Sequence, residues 1–249
     1  MKGLIVKDIY CLKKQLTTYA FIIFGVVSVA VMFILSERNG NLSMAVSEMG
    51  EAGFDISSIV KTSVMFFMVL PLVCTGNIAD LFTYDKAASF YKTAASLPLG
   101  TEKRVLSKFI TSSVFLAVGL AVDIAMSAVI SAVSDIMSFS KCAGILVSLT
   151  AVMVIFLSLV ITLNYAGVAP LYSTATPLAA AVIVFLIAKA KDMINALSGD
   201  DFSSMARFFR SVLNALETKF YLFAAAAALT AAACFFISVR LAKRKRGVA

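Results

Sequence analysis

Residues 142–163 read CAGILVSLTAVMVIFLSLVITL, an apolar run without a charged side chain. A hydrocarbon core about 30 Å thick is crossed by roughly 20 such residues in a helix. Further runs reach or approach this length, and no segment between them is long enough for a soluble domain. Because the runs lack the alternation of a β-barrel, each must satisfy its backbone hydrogen bonds as an α-helix. The predicted spans are residues 19–35, 63–78, 109–133, 142–163, 168–188 and 220–239.

The composition supports the same conclusion. Hydrophobic residues make up 61% of the chain, and the mean hydropathy is +0.95. A water-soluble domain with so much apolar side chain would lack the polar surface that keeps it in solution. The sequence therefore predicts an all-α membrane protein with six transmembrane helices, in which residues 1–249 form a single transmembrane domain.

The charged residues are distributed unevenly along the chain. The net charge is +8, and the excess lies in segments 1–18, 80–108 and 240–246, whereas segment 36–62 is net negative. With six spans, the three basic segments fall on one side of the membrane. Cytoplasmic loops are enriched in Lys and Arg, so we expect both termini to be cytoplasmic and the protein to lie in the cytoplasmic membrane. The basic residues indicate topology and lipid contact, and not nucleic-acid binding.

Several kinds of chemistry lack their usual residues. The sequence has no histidine, which removes Ser-His catalytic pairs, HExxH metal sites and histidine-ligated haem. It has no G-x-x-x-x-G-K-[ST] phosphate loop. The four cysteines are spread widely and indicate neither a metal site nor a disulfide framework. We therefore predict no catalytic residue, no metal site and no cofactor on this chain, which leaves a transport or structural role.

The N-terminal segment has the periodicity of an amphipathic helix. Within residues 1–18, apolar side chains recur every three or four positions, and the lysines lie mostly on other faces. This pattern predicts a helix lying at the membrane interface before the first span. The alternative is a simple extension of that span. The apolar stripe consists of Ile5, Ile9, Leu12 and Leu16.

A second amphipathic segment precedes the last span. Apolar residues between positions 202 and 216 follow spacings of three and four, and Asp200 or Asp201 can cap a helix there. This predicts an amphipathic outer helix. The helix either packs against the tops of the spans or forms an outer gate over the exit path. The gate residues would be Phe202, Met205 and Phe209.

Asp123 is the only ionisable residue well inside a long apolar run, and no lysine or arginine lies at a comparable depth. Ionisable groups at such depth are the first candidates for transport chemistry. Asp123 either lines a hydrated cavity or occupies a boundary or helix-contact position. Asn77, near the end of the second span, is the other candidate for the translocation path, with a structural role as its alternative.

Residues 79–109, after the second span, read ADLFTYDKAASFYKTAASLPLGTEKRVLSKF. The acidic–basic pair Asp85-Lys86 is followed by Tyr91, by Leu97-Pro98 and by basic residues up to Lys108. This order resembles the ABC-2 type permease family, the transmembrane subunits of ATP-driven exporters. That family often has a second acid directly after the first, and Lys86 stands there in this chain.

The resemblance implies a short cytoplasmic coupling helix within residues 80–104 that docks into a groove of a separate ATPase. The residue pattern agrees, because a cytosolic helix over 85–96 with exposed aromatic side chains suits a docking surface. Leu97-Pro98 would end that helix. A solvated loop is the alternative. The predicted coupling residues are Asp85, Lys86, Phe90, Tyr91, Leu97 and Pro98.

The resemblance also implies an assembly of two ATPases, which bind ATP and magnesium, with two permeases. The second permease would be another copy of this chain or a paralogue. The chain looks closest to short permeases that export antimicrobial or toxin peptides, such as the phenol-soluble modulin type, so we expect an amphipathic substrate. Two other functions stay open: a proton-coupled secondary carrier that uses Asp123, and a membrane scaffold that transports nothing.

Overall fold

The computed structural model describes residues 2–39, 80–87, 100–133, 138–169, 172–179, 216 and 218–246. The regular structure in these residues is helical throughout, which confirms the all-α prediction for them. Residues 172–179 form one helical stretch. The other helices are α1 (Lys2–Cys11), α2 (Lys13–Arg38), α3 (Asp80–Ala87), α4 (Thr101–Val133), α5 (Phe139–Ala166) and α6 (Phe220–Arg246).

Three of these helices contain stretches long and apolar enough to cross a membrane: Thr101–Ala132, Phe139–Ala166 and Phe220–Arg244. They correspond to the third, fourth and sixth predicted spans, and the chain is therefore a multi-pass membrane protein. The first predicted span lies within α2, where the apolar stretch Thr17–Val29 is shorter. The second predicted span and most of the fifth lie outside the described residues, as does the predicted outer helix apart from Leu216.

The described helices extend beyond the apolar runs that predicted them. α4 begins at Thr101, although the apolar run begins at residue 109, and α6 continues through its basic residues to Arg246. Hydropathy marks where charged side chains begin, but a helix continues through them when their charged groups reach water or a partner.

α3 (Asp80–Ala87) lies within the predicted coupling region 80–104 and includes Asp85, the first residue of the predicted coupling helix, whose remaining residues after Ala87 lie outside those described. Both Leu81 and Phe82 of α3 are fully buried. Leu81, Phe82 and Asp85 lie on one face of the helix, since residues four positions apart are neighbours on a helix surface. The sequence pattern alone did not indicate that this face is buried.

The predicted apolar stripe of α1 is buried only in part. Leu12 of the stripe is buried, Ile5 and Ile9 are half-buried, and the side chain of Leu16 lies outside what is described. The most buried face of α1 instead contains Leu4 and Asp8, next to Leu12. The pattern of apolar residues could not identify this face, because its central residue is an aspartate. Whether α1 also lies at the membrane interface stays a prediction.

A leucine cluster joins the helices at the end of the bundle where α4 begins. Leu12, between α1 and α2, packs with Leu81 of α3, Leu116 of α4 and Leu157 of α5. α3 is therefore part of the hydrophobic core and not an appendage on its surface. We call this end of the bundle the charged end, for the side chains described below.

α5 and α6 run parallel. The Ser148 hydroxyl, in the first half of α5, donates to the carbonyl of Leu216 just before α6. The Thr162 hydroxyl, in the last turns of α5, lies 3.3 Å from the carbonyl of Cys234 in the second half of α6.

α4 runs in the opposite direction to α6. Phe109 in the first turns of α4 contacts Phe235 of α6 edge to face, with ring centroids 5.7 Å apart. Farther toward the charged end, Lys243 in the last turns of α6 contacts Glu102 at the start of α4, so the start of α4 and the end of α6 lie together there. The basic segment 80–108 contacts both segment 1–18 and segment 240–246 there, which agrees with the prediction that the three share one side.

Candidate functional site

Four charged side chains from three helices meet at the charged end. They are Lys7 and Asp8 of α1, Asp85 of α3 and Lys108 of α4, and we call them the charge cluster. The side chains of Asp8, Asp85 and Lys108 are 1%, 5% and 7% exposed, and that of Lys7 is 25% exposed. Two cations and two carboxylates balance, which lowers the cost of burying them.

Lys108 is the central cation of the charge cluster. Its Nζ lies 2.8 Å from Asp8 Oδ1 and 2.6 Å from Asp85 Oδ2. It also lies 5.6 Å from the centroid of the Phe82 ring, within the range of a cation–π contact. An ammonium group has three donors, so one side chain can bind carboxylates from two helices. Lys108 in this way connects α4 to both α1 and α3.

Lys7 contacts the same two carboxylates from the rim. Its Nζ donates to Asp85 Oδ1 and lies 3.1 Å from Asp8 Oδ1. Burial lowers the pKa of Lys7, but the hydrogen bond to Asp85 and the charges of both aspartates outweigh this and raise the pKa above its usual 10.5. Lys7 is therefore protonated at neutral pH.

Aromatic packing attaches α3 to α5. The Phe82 ring lies edge to face on Tyr165 near the end of α5, with centroids 5.8 Å apart at 86°. α3 therefore has ionic contacts to α1 and α4 and an aromatic contact to α5. These contacts join the described part of α3 to three neighbouring helices.

The end of α5 is closed by a Schellman motif. Gly167 has φ 101°, a conformation that favours glycine, and its N–H donates to the Asn164 carbonyl, while the Val168 N–H donates to that of Leu163. The Asn164 side chain donates to Ser173 Oγ at 2.7 Å. The helical stretch 172–179 is thereby attached to the end of α5, beside Tyr165.

The structure describes two of the six residues predicted to couple this chain to an ATPase. Asp85 is buried in the charge cluster and therefore faces the protein. Lys86 belongs to α3, and its side chain lies outside what is described. Thr83 and Tyr84 are exposed on the same helix. The remaining four, Phe90, Tyr91, Leu97 and Pro98, lie outside the described residues.

Asp123 is completely buried within the bundle. It shares the buried face of α4 with Leu116, Met126, Ser127 and Ile130, at the spacing of one helix face. Both alternatives for Asp123, a position lining a cavity and a boundary or helix-contact position, stay predictions. Asn77 and the predicted gate residues Phe202, Met205 and Phe209 lie outside the described residues.

Hydroxyl groups connect α5 to α6 within the bundle. Thr162 Oγ1 donates to the carbonyl of Ser158 at 2.8 Å and accepts a hydrogen bond from Ser238 Oγ at 3.1 Å. Such bonds attach transmembrane helices to each other where apolar contact gives little preference over lipid. In the described part of the chain, no group of acids and cysteines has the arrangement of a metal site.

Reasoning from the sequence missed Lys7, Asp8, Phe82 and Tyr165 as site residues. One signal was available: Asp8 is the single acid in the basic segment 1–18. An acid surrounded by lysines before a membrane span indicates a specific partner, but the sequence does not indicate that the partner is Lys108.

Comparisons with known proteins agree with this architecture. The family model described as ABC-2 family transporter protein matches residues 54–243, which include α3, α4, α5 and nearly all of α6. No match was found among curated proteins or among solved structures. The family match covers well over half of the 249 residues. With its long apolar helices and its buried contacts between the segment after residue 79 and α4, the chain belongs to the ABC-2 transporter family, as a membrane subunit.

Proposed function

We propose that this chain is the permease subunit of an ABC exporter, and that the charge cluster attaches its ATPase-coupling segment to the membrane helices. The observation that carries the proposal is the position of Lys108, buried and in contact with both Asp8 and Asp85. Family membership supports ATP-driven transport. Because the sequence has no phosphate loop, hydrolysis is assigned to a separate ATPase.

The contacts of α3 suggest how movement reaches the membrane. Separating Lys108 from its carboxylates would leave charges buried without partners, which costs several kcal/mol. α3 and the first turns of α4 are therefore expected to move as one unit. α4 continues to Val133, so a displacement at its first turns is transmitted along a helix that crosses the membrane.

The side of the membrane follows from charge. The charged end contains the basic residues of α1, of α4 and of the last turns of α6, and such residues are concentrated in the cytoplasm. We place this end in the cytoplasm, where Phe90 and Tyr91 follow α3 in sequence and would dock on the ATPase. The proposed assembly contains two ATPases and two permeases, with ATP and magnesium bound by the ATPases.

We further propose an amphipathic substrate, with a peptide as the first candidate. The described span surfaces carry Met, Phe, Ser and Thr side chains, which suit a ligand with one apolar and one weakly polar face. A lipid-like molecule has the same chemistry, and transport assays with peptide and lipid probes would distinguish them.

The test is co-purification of a tagged chain with a co-expressed ABC ATPase, taken from a neighbouring gene of the same genome as the candidate partner. We expect the native chain to retain the ATPase and the Phe90→Asp/Tyr91→Asp variant to lose it. Lys103→Gln is the matched control, because Lys103 is an exposed residue at the same end. Failure of the native chain to retain the ATPase would contradict the proposal and favour the Asp123-dependent carrier. Normal function of the double variant would favour the scaffold.

A further inference from the structure

α1 precedes the region that the family model covers, yet it supplies half of the charge cluster. The match begins at residue 54, whereas Lys7 and Asp8 contact Asp85 and Lys108 inside it. An anchor helix at a membrane surface has no need of a buried carboxylate, which is costly without its partner. The burial of Asp8 therefore calls for a role beyond attachment to the membrane.

A single oxygen atom carries the contacts of Asp8. Its Oδ1 lies 3.1 Å from Lys7 Nζ and 2.8 Å from Lys108 Nζ. If the charge of Asp8 is removed, Asp85 is the one remaining carboxylate of the cluster for two ammonium groups. Lys108 has a flexible side chain, and the repulsion from Lys7 would displace it. The position of α3 relative to α4 therefore depends on the charge of Asp8.

We propose that α1 belongs to the unit that transmits ATPase movement to the membrane helices, and that Asp8 is its positioning residue. Asp8 holds Lys108 against Asp85, so that α1, α3 and the start of α4 respond together when the ATPases close. The inference rests on the proposed function, since it supposes an ATPase that acts on the segment after α3.

The experiment uses the complete complex of this chain and its ATPase in proteoliposomes, and it requires no knowledge of the substrate. A spin label is attached at Val129→Cys, after the four native cysteines are replaced by alanine. Val129 is exposed on α4 near the end far from the charge cluster. The measured quantity is the change in the label's EPR spectrum when ATP and vanadate trap the closed ATPases.

We expect a clear spectral change with the native cluster and a change reduced about fivefold in Asp8→Asn, as for a lost coupling between distant sites. Asp8→Glu, which keeps the charge, should restore most of the response. The matched control is Glu102→Gln, which removes an exposed carboxylate of α4 and should leave the response intact. An undiminished response in Asp8→Asn would overturn the proposal.

A second variant separates coupling from folding. Asp8→Asn/Lys108→Met removes one anion and one cation and leaves the neutral pair Lys7–Asp85. A double variant that regains thermal stability but not the spectral response supports the proposal, whereas one that regains both overturns it. Binding of the ATPase to the native chain is measured separately in the same preparations by co-purification. If the native chain does not bind the ATPase, the proposed function itself is wrong.

Discussion

Two sets of ion pairs join helices at the charged end, and they differ in burial and not in length. Lys243 of α6 contacts Glu102 of α4 at 2.7 Å, with side chains 58% and 64% exposed. Lys108 contacts Asp8 at 2.8 Å, with both side chains buried. When the exposed pair separates, water and salt ions stabilise both charges at little cost. The buried charges of the second pair have no such replacement for their partner. Distance alone would rank these pairs as equals.

The difference indicates which contacts fix the geometry of the charged end. Removing one member of a buried pair leaves the other charge with neither a partner nor solvent, so the surrounding helices must move to solvate it. Removing one member of an exposed pair leaves the other in water. The charge cluster is therefore expected to determine how α1, α3 and α4 are placed, while the Lys243–Glu102 pair adds little.

The largest effect is expected for Lys108→Met. The change leaves Asp8 and Asp85 buried together with Lys7 as their one remaining cation in the cluster, at a cost of about 3–5 kcal/mol. Thermal unfolding in detergent, followed by size-exclusion chromatography with fluorescence detection, measures the loss. The matched control is Lys103→Met on the exposed side of the same helix. Equal melting temperatures for the two variants would contradict the importance of the cluster.

A smaller effect is expected for Lys7→Gln, since Lys7 is partly exposed. The pKa of Lys7 is raised, so its contribution is fully present below 10.5 and is lost only as the pH rises through the higher value in the folded protein. The difference in melting temperature between the native chain and Lys7→Gln should therefore stay constant from about pH 7 to pH 10. A difference that disappears near neutral pH would show that Lys7 is not paired as described.

The hydroxyl contact between α5 and α6 should contribute less. Thr162→Val keeps the shape of the side chain and removes the acceptor for Ser238, at a cost of about 0.6 kcal/mol, the average for hydrogen bonds between membrane helices. Ser238→Ala should cost a similar amount, and the double variant should cost no more than either. Thr176→Val, at an exposed threonine, is the control. Strictly additive losses would indicate that Thr162 and Ser238 do not interact.

The smallest effect is expected for Glu102→Gln and Lys243→Gln. Both side chains are exposed, so either change should leave the melting temperature within the error of the native value, at low and at high salt. The same salt series should leave Lys108→Met clearly destabilised. A large decrease in melting temperature in Glu102→Gln would show that the exposed and buried pairs do not differ in their contribution to stability.

The long spans could be predicted from the sequence, because a helix that crosses the bilayer needs a run of apolar residues long enough to match its thickness. α4, α5 and α6 lie where the runs at 109–133, 142–163 and 220–239 indicated. The family was recognised from the segment after the second span. The burial of Asp8 and Asp85 could not be predicted, because both read as surface residues until a buried lysine from α4 is placed beside them.

The energy source of transport distinguishes an ATP-driven permease from a proton-coupled carrier. Proteoliposomes with this chain and its ATPase would be loaded with ATP on the cytoplasmic side, and movement of a fluorescein-labelled amphipathic peptide would be followed with and without a protonophore. We predict movement that requires ATP, persists in the protonophore and persists in Asp123→Asn. Movement that needs no ATPase, stops in the protonophore and is abolished by Asp123→Asn would contradict ATP-driven export and indicate a proton-coupled carrier.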